Sequence, residues 1–178
     1  MQVRAATHDD DEAIRAIYNA EVTGSTVTFD MVPRDPAAQA VWLDEHSGAY
    51  PAVVAEAEGR VAGFGSLTPY RPRPAYATTV EDSVYVHSDW RGQGVGRVIL
   101  EELVRLAGAH GFHAVMARIV GGHEASIGLH RACGFEMVGV EREVGRKFGR
   151  WLDVAVMQLL LDGPPTAPDP ASLLDGAP

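Results

Sequence analysis

The segment VYVHSDWRGQGVGRVIL carries the densest chemical signal in the chain: an apolar run, then glycines at Gly92, Gly94 and Gly96, then an amphipathic continuation. A strand that turns directly into a helix leaves the first N–H groups of that helix without partners, at the positive end of its dipole. Glycines there let an anion approach the backbone without meeting a side chain, so a phosphate or pyrophosphate suits such a turn. Arg91 and Arg97 flank it and can add ionic contacts. The same glycines can also serve only to pack a turn tightly, and the pattern alone leaves both readings open. Spacing excludes two nucleotide loops. No Lys-Ser/Thr pair follows, as GxxxxGKS/T would require, and the glycines run G-x-G-x-G, not GxGxxG. Cys133 is the single cysteine, which excludes an internal disulfide or a cysteine-rich zinc site and reads as a buried thiol. His110, His113, His123 and His130 form no convincing ligand set, so no metal is expected.

These groups need a scaffold, and alternating helical and strand-like periods predict mixed α and β structure in one layered domain without internal repeats. Residues 2–6 read as a strand. Thr7 then caps a helix through Asp9, Asp10 and Asp11, with Ile14, Ile17 and Tyr18 on one face. Asp35-Pro36 opens a second helix to about Glu45. PAVVAEAEGRVAGFGSL reads as a hairpin turning at Glu58-Gly59, and a strand over 78–86 follows the loop YRPRPAY. After the glycine turn, Val95, Val98, Ile99, Leu103 and Leu106 mark an amphipathic helix ending at Gly108 or Gly111. AVMARIV is a buried strand, ASIGLHRACGF a short helix stopped by glycine, and EMVGVEREVG with RWLDVAVMQLLL a closing strand pair.

With 178 residues, 46% hydrophobic and 22% charged, the chain has room for one compact domain with a real core, which excludes two catalytic domains and disorder throughout. Fifteen Lys+Arg against 24 Asp+Glu give a net charge of −9. That sign opposes holding nucleic acid or an anionic membrane by bulk charge, so any bound anion must be gripped locally. No apolar run approaches the ~18 residues of a membrane span. The start MQVRAATHDDDEA lacks the pattern of a secretory signal, and a cytoplasmic location is expected. From Asp162 onward, DGPPTAPDPASLLDGAP holds five of the 11 prolines and no Lys or Arg, which reads as a disordered tail behind a domain over 1–161.

Arg91, Gly94 and Gly96 form an R-x-x-G-x-G pattern that resembles the acetyl-CoA pyrophosphate loop of the GNAT superfamily of N-acetyltransferases. The blocks STVTFDMVPR, TVEDSVYV, ASIGLHRACGF and VGRKFGRWLDVAVMQL are similar to the phosphinothricin and methionine sulfoximine/sulfone acetyltransferase group, and the order of elements fits over about residues 2–161. The resemblance implies an α/β (α+β) fold with a mixed, mostly antiparallel sheet flanked by helices. It implies acetyl-CoA as co-substrate, no metal, and a homodimer. The loop Arg91, Gly92, Gln93, Gly94, Val95, Gly96 and Arg97 would hold the pyrophosphate.

In such enzymes the acceptor amine attacks the thioester directly. Glu81 matches the group's catalytic glutamate and takes the role of general base, through a water; an ordinary carboxylate pKa of about 4 is low for this, and burial would raise it. Otherwise it is a strand-edge carboxylate. Val84, Tyr85 and Val86 match positions whose backbone pairs with the pantetheine arm, with the Val86 N–H polarising the carbonyl. His130 stands where this group has a histidine beside the thiol and could protonate the leaving thiolate, and Ser126 matches a serine that contacts the cofactor. His123 replaces the usual asparagine; it can bond a pantetheine amide or simply start a helix. Arg71 and Arg73 suit a substrate carboxylate, and Phe29 and Tyr76 either line the acceptor pocket or belong to the core. Lys147, Phe148 and Trp151 match a motif near the acceptor site or the subunit interface. The implied activity is acetylation of the α-amino group of phosphinothricin, methionine sulfoximine or methionine sulfone. Two rivals remain: another amine acceptor (a polyamine, aminoglycoside or peptide N-terminus), and a non-catalytic acyl-CoA sensor.

Overall fold

A computed structural model describes residues 1–161. The tail read over 162–178 lies outside the described residues. Seven strands form one sheet: β1 (Gln2–Ala5), β2 (Ala52–Ala57), β3 (Arg60–Pro69), β4 (Thr79–Val86), β5 (Ala114–Val120), β6 (Glu136–Lys147) and β7 (Arg150–Leu160). Four helices flank it: α1 (Asp11–Gly24), α2 (Pro36–Asp44), α3 (Val95–Ala109) and α4 (Glu124–Ala132). The spatial order is β1-β2-β3-β4-β5-β7-β6, antiparallel at every pairing except β4 with β5. Element order and sheet type are those the sequence implied. Among the described residues no helix is long and apolar enough to cross a membrane.

Each face of the sheet buries its own cluster. Ile99, Leu100 and Leu103 of α3 lie with Leu67, Val80 and Val115 on one side, and Ile14, Ile17, Tyr18 and Val22 of α1 pack on Val54 and Phe64 on the other. The hairpin turns at Glu58 and Gly59, both at positive φ, as anticipated. Asp35 caps α2 by accepting the Ala38 N–H at 2.7 Å.

The first helix differs at its start. His8–Asp10 forms a single 3₁₀ turn before α1, and the Asp10 carboxylate reaches back to the Thr7 N–H at 2.9 Å, while Thr7 Oγ1 donates to the same oxygen. Thr7 is the N-cap of this turn, as expected, and Asp10, which also takes two bonds from Arg4, completes a capping box with it. Cys133 is half-buried, not sealed, because Gly134 ends the segment at the rim of the core.

Candidate active site

The parallel contact of β4 with β5 is short, covering only Thr79, Val80 and Glu81 against Ala114, Val115 and Met116. Beyond it β4 stays paired to β3 and β5 to β7, so the two strands splay apart and the sheet opens. The His87 N–H bonds the Ala62 carbonyl at 3.0 Å and the Tyr70 N–H bonds the Thr79 carbonyl at 3.4 Å, which fixes the alternation along β4. Glu81, Ser83 and Tyr85 direct their backbone groups at β3, while Asp82, Val84 and Val86 turn theirs into the gap. The resulting cleft of about 940 Å³ passes through the sheet. Thr26 and Val27 line its α1 side, Ser126, Leu129 and His130 its α4 side, and Gly92, Gly94, Val95, Gly96 and Arg97 its end.

The glycines of the turn differ in why glycine stands there. Gly92 and Gly94 sit at φ 73° and 84°, with open space where a Cβ would be, and Gly94 is the residue from which α3 starts. A Cβ on Gly96 would instead stand 3.1 Å from Leu129, so this glycine seats α3 against α4. The flanking cations are already partnered. Arg91 bridges to Glu21 of α1 and donates to the Val86 carbonyl, Arg97 pairs with Glu101 at 2.7 Å, and Gln93 bonds the Asp89 carbonyl at 2.8 Å. Tyr85 lines the cleft with Val84 and Val86 but differs from them: its backbone faces β3, and its ring packs at 5.1 Å on both Tyr18 and Phe64 because odd positions of β4 face α1.

Glu81 stands at the apex, where the strands close. Burial pushes its pKa up to about 7; Arg118 opposes that rise, Asp82 adds to it, and Arg71 and Glu141 follow with smaller effects. The next residue, Asp82, faces α4, where its Oδ2 lies 3.1 Å from His130 Nε2 with both side chains almost fully buried. His130 Nδ1 lies 2.7 Å from the Ser126 carbonyl. Burial works against the imidazolium, but the Asp82 bond and charge and the Ser126 carbonyl outweigh it and raise the His130 pKa. Both ring nitrogens are therefore engaged, and any proton leaving Nε2 is one shared with Asp82. Ser126 Oγ sits 3.5 Å from the same ring. His123 lies at the N-terminus of α4 without a side-chain capping bond, and burial lowers its pKa.

The substrate-side residues are more scattered. Arg71 is exposed, with its guanidinium 4.9 Å from the Tyr70 ring, and Tyr76 stands edge-on to that ring at 5.6 Å. Arg73 is exposed at the start of the Pro74–Tyr76 turn. Phe29 is partly exposed, its ring lying over Gly145 of β6. Lys147 is buried and donates to the Thr28 carbonyl at 2.8 Å, Phe148 lines the cleft, and Trp151 faces outward at 61% exposure. Sequence reasoning passed over Asp82, Arg118 and Glu141. Arg118 was visible as the lone charge in AVMARIV. Among the described residues no group of His, Cys, Asp and Glu is arranged to hold a metal.

A strand pair that splays beside a glycine turn, leaving an open strand edge and the half-buried Glu81 carboxylate at the apex, is an arrangement suited to acyl transfer. Residues 13–135 match the Acetyltransferase (GNAT) family, and the chain belongs to that family as an N-acetyltransferase. It is 44% identical over 168 residues to the L-methionine sulfoximine/L-methionine sulfone acetyltransferase of Pseudomonas aeruginosa, covering 93% of this chain and 98% of the relative. It is 43% identical to the phosphinothricin N-acetyltransferase of Alcaligenes faecalis, covering 94% and 86% of the two chains. Among solved structures, a GNAT phosphinothricin acetyltransferase from Sinorhizobium meliloti in complex with acetyl-CoA superposes with TM-score 0.89 at 40% identity, covering 95% and 93%. A Salmonella typhimurium protein solved with its cofactor acetyl-CoA gives 0.90 at 37%, covering 96% and 98%.

Proposed function

We infer that the chain transfers the acetyl group of acetyl-CoA to the α-amino group of a small amino-acid-like acceptor, of the kind methionine sulfone, methionine sulfoximine and phosphinothricin represent. The observation that carries this reading is Glu81: a carboxylate whose pKa burial raises to about 7, at the last β4–β5 pair before the two strands part and next to Asp82, which lines the cleft. The names of the relatives support the acceptor class.

Gly92 and Gly94 leave room for a pyrophosphate at the start of α3, and the outward edge of Val84 and Val86 suits the amides of a pantetheine arm. Bound there, acetyl-CoA supplies the activated thioester carbonyl. Glu81 takes the proton of the acceptor ammonium, through a water, and frees the amine for attack; the second N–H proton, made acidic once the carbon–nitrogen bond forms, leaves to water, and solvent restores the proton that His130 gives to the leaving thiolate. The Val86 N–H donates to the carbonyl oxygen as negative charge gathers on it. As the carbon–sulfur bond breaks, the His130 imidazolium gives the Nε2 proton it shares with Asp82 to the departing thiolate.

Thiol release from acetyl-CoA tests the reading, with methionine sulfone, methionine sulfoximine, phosphinothricin, ordinary amino acids, spermidine and an aminoglycoside as acceptors. Preferential turnover of the amino-acid analogues is expected. Preference for spermidine or the aminoglycoside would overturn the acceptor class, and binding of acetyl-CoA without any turnover would support the sensor reading.

A homodimer belongs to the same proposal. Edge strand β6 leaves Val138, Val140 and Val144 exposed, with Trp151 of β7, and a second copy would cover them. Light scattering should give twice the chain mass.

A further inference from the structure

Six of the seven residues of β5 are buried, and the exception is Arg118, the fifth. A charge within an otherwise apolar strand needs a partner or a task. Pairing sets Glu81 of β4 beside Met116, and the two-residue period of a strand places Arg118 on the same face. Val154 of β7 lies between Val120 of β5 and Glu141 of β6, so Glu141 shares that face. Glu81, Arg118 and Glu141 thus lie in a row on one side of the sheet.

Arg118 donates two bonds to the Glu141 carboxylate, the Nη1 bond at 3.0 Å. The pair is open, at 29% and 36% side-chain exposure, and Arg118 lines the cleft. Solvent-open pairs of this kind contribute only about 0–1 kcal/mol, so Glu141 is a partner readily exchanged for another carboxylate. An amino-acid acceptor presents an ammonium and a carboxylate close together, and this face carries the Glu81 carboxylate and the Arg118 guanidinium on one side of the sheet, near enough for Arg118 to act on the Glu81 charge. Arg71, exposed on the loop after β3, adds positive charge to the same end.

We propose that Arg118 receives the acceptor's carboxylate, exchanging Glu141 for the substrate, and so selects acceptors that carry an acid group beside the amine. This rests on the reading of Glu81 as the base for an amino-acid-like acceptor. The plainer role, a strap across β7 that ties β5 to β6, makes a different forecast, because a strap needs both residues equally.

The test is steady-state kinetics at saturating acetyl-CoA with methionine sulfone and with its decarboxylated amine, on the full chain and on Arg118→Met and Glu141→Gln. A charged hydrogen bond contributes ~1.5–3 kcal/mol, so Arg118→Met should raise KM for methionine sulfone about tenfold or more. KM for the decarboxylated amine and for acetyl-CoA should stay within about threefold. Glu141→Gln should leave KM for methionine sulfone unchanged or lower it. An unchanged methionine sulfone KM in Arg118→Met overturns the proposal, as does an equal rise in both variants. Wild-type turnover of the decarboxylated amine alone overturns it too. No wild-type turnover of either compound removes the underlying acceptor reading and the proposal with it.

Discussion

His130 has an oxygen acceptor at each ring nitrogen, the Ser126 carbonyl at 2.7 Å and Asp82 Oδ2 at 3.1 Å. A neutral imidazole has one N–H and would set a lone pair against one of these oxygens, so the ring is held doubly protonated. Its pKa in the folded protein is raised, and the unfolded value is about 6.5. The pair's contribution to stability is therefore complete below about pH 6.5 and is lost as pH rises through the folded value. Asp82→Asn keeps the shape and one acceptor but removes the charge. Replacing a charged hydrogen bond of ~1.5–3 kcal/mol by a neutral one of ~0.5–1.5 loses about 1–2 kcal/mol. For a domain of this size that lowers Tm by roughly 2–8 °C. Thermal unfolding followed by circular dichroism across a pH series from 6 upward should show this gap in full at pH 6 and a narrowing gap as pH rises through the folded value and the wild-type ring gives up its proton. Equal melting at pH 6, or a gap that does not narrow with rising pH, would refute the protonated-pair reasoning.

Other perturbations separate the two mouths of the cleft. Gly94→Ala puts a Cβ on a residue at φ 84°, which costs about 1–2 kcal/mol, and should weaken CoA binding by calorimetry while leaving the acceptor KM unchanged. Gly145→Ala brings a Cβ to 2.2 Å from the Phe29 ring, which is partly exposed and can swing away. Tm should change by only a few degrees, and the acceptor KM should shift while that for acetyl-CoA does not. Lys147→Met leaves the Thr28 carbonyl without its donor and should destabilise by about 1–3 kcal/mol in denaturant melts.

Much of this arrangement was legible in the sequence because it is local. Element order followed from periodicity, and the glycines marked the turn from which α3 starts. Which glycine does what was not local: Gly96 is needed because Leu129, on another helix, lies against it. Glu81 and Asp82 are adjacent in the chain yet face opposite sides of β4, and Asp82 acquires its role only from His130, far along the sequence. Arg118 stood out by type, but its partner Glu141 follows from the β5–β7–β6 order, which strand periodicity does not encode. The register shift in β6 between Glu141 and Gly145 carries no clear sequence sign either; there Glu143 takes a positive φ and donates its N–H to Asp153. The cap at Thr7 was legible, whereas the return of the Asp10 side chain to the Thr7 N–H, anchored by Arg4, depends on a strand residue that local pattern does not bring in.

The pH dependence of kcat/KM for methionine sulfone, in wild type and Glu81→Gln, bears most directly on the central claim. With the Glu81 pKa raised to about 7, the carboxylate is protonated below that pH and can act as a base only above it. The wild-type profile should rise through a limb near pH 7. Glu81→Gln should lose about 10²–10⁴-fold in kcat/KM and shift the limb to the ionisation of the acceptor amine itself, with the acetyl-CoA KM unchanged. A variant that keeps the limb near pH 7 and activity within a few-fold of wild type would contradict Glu81 as the base.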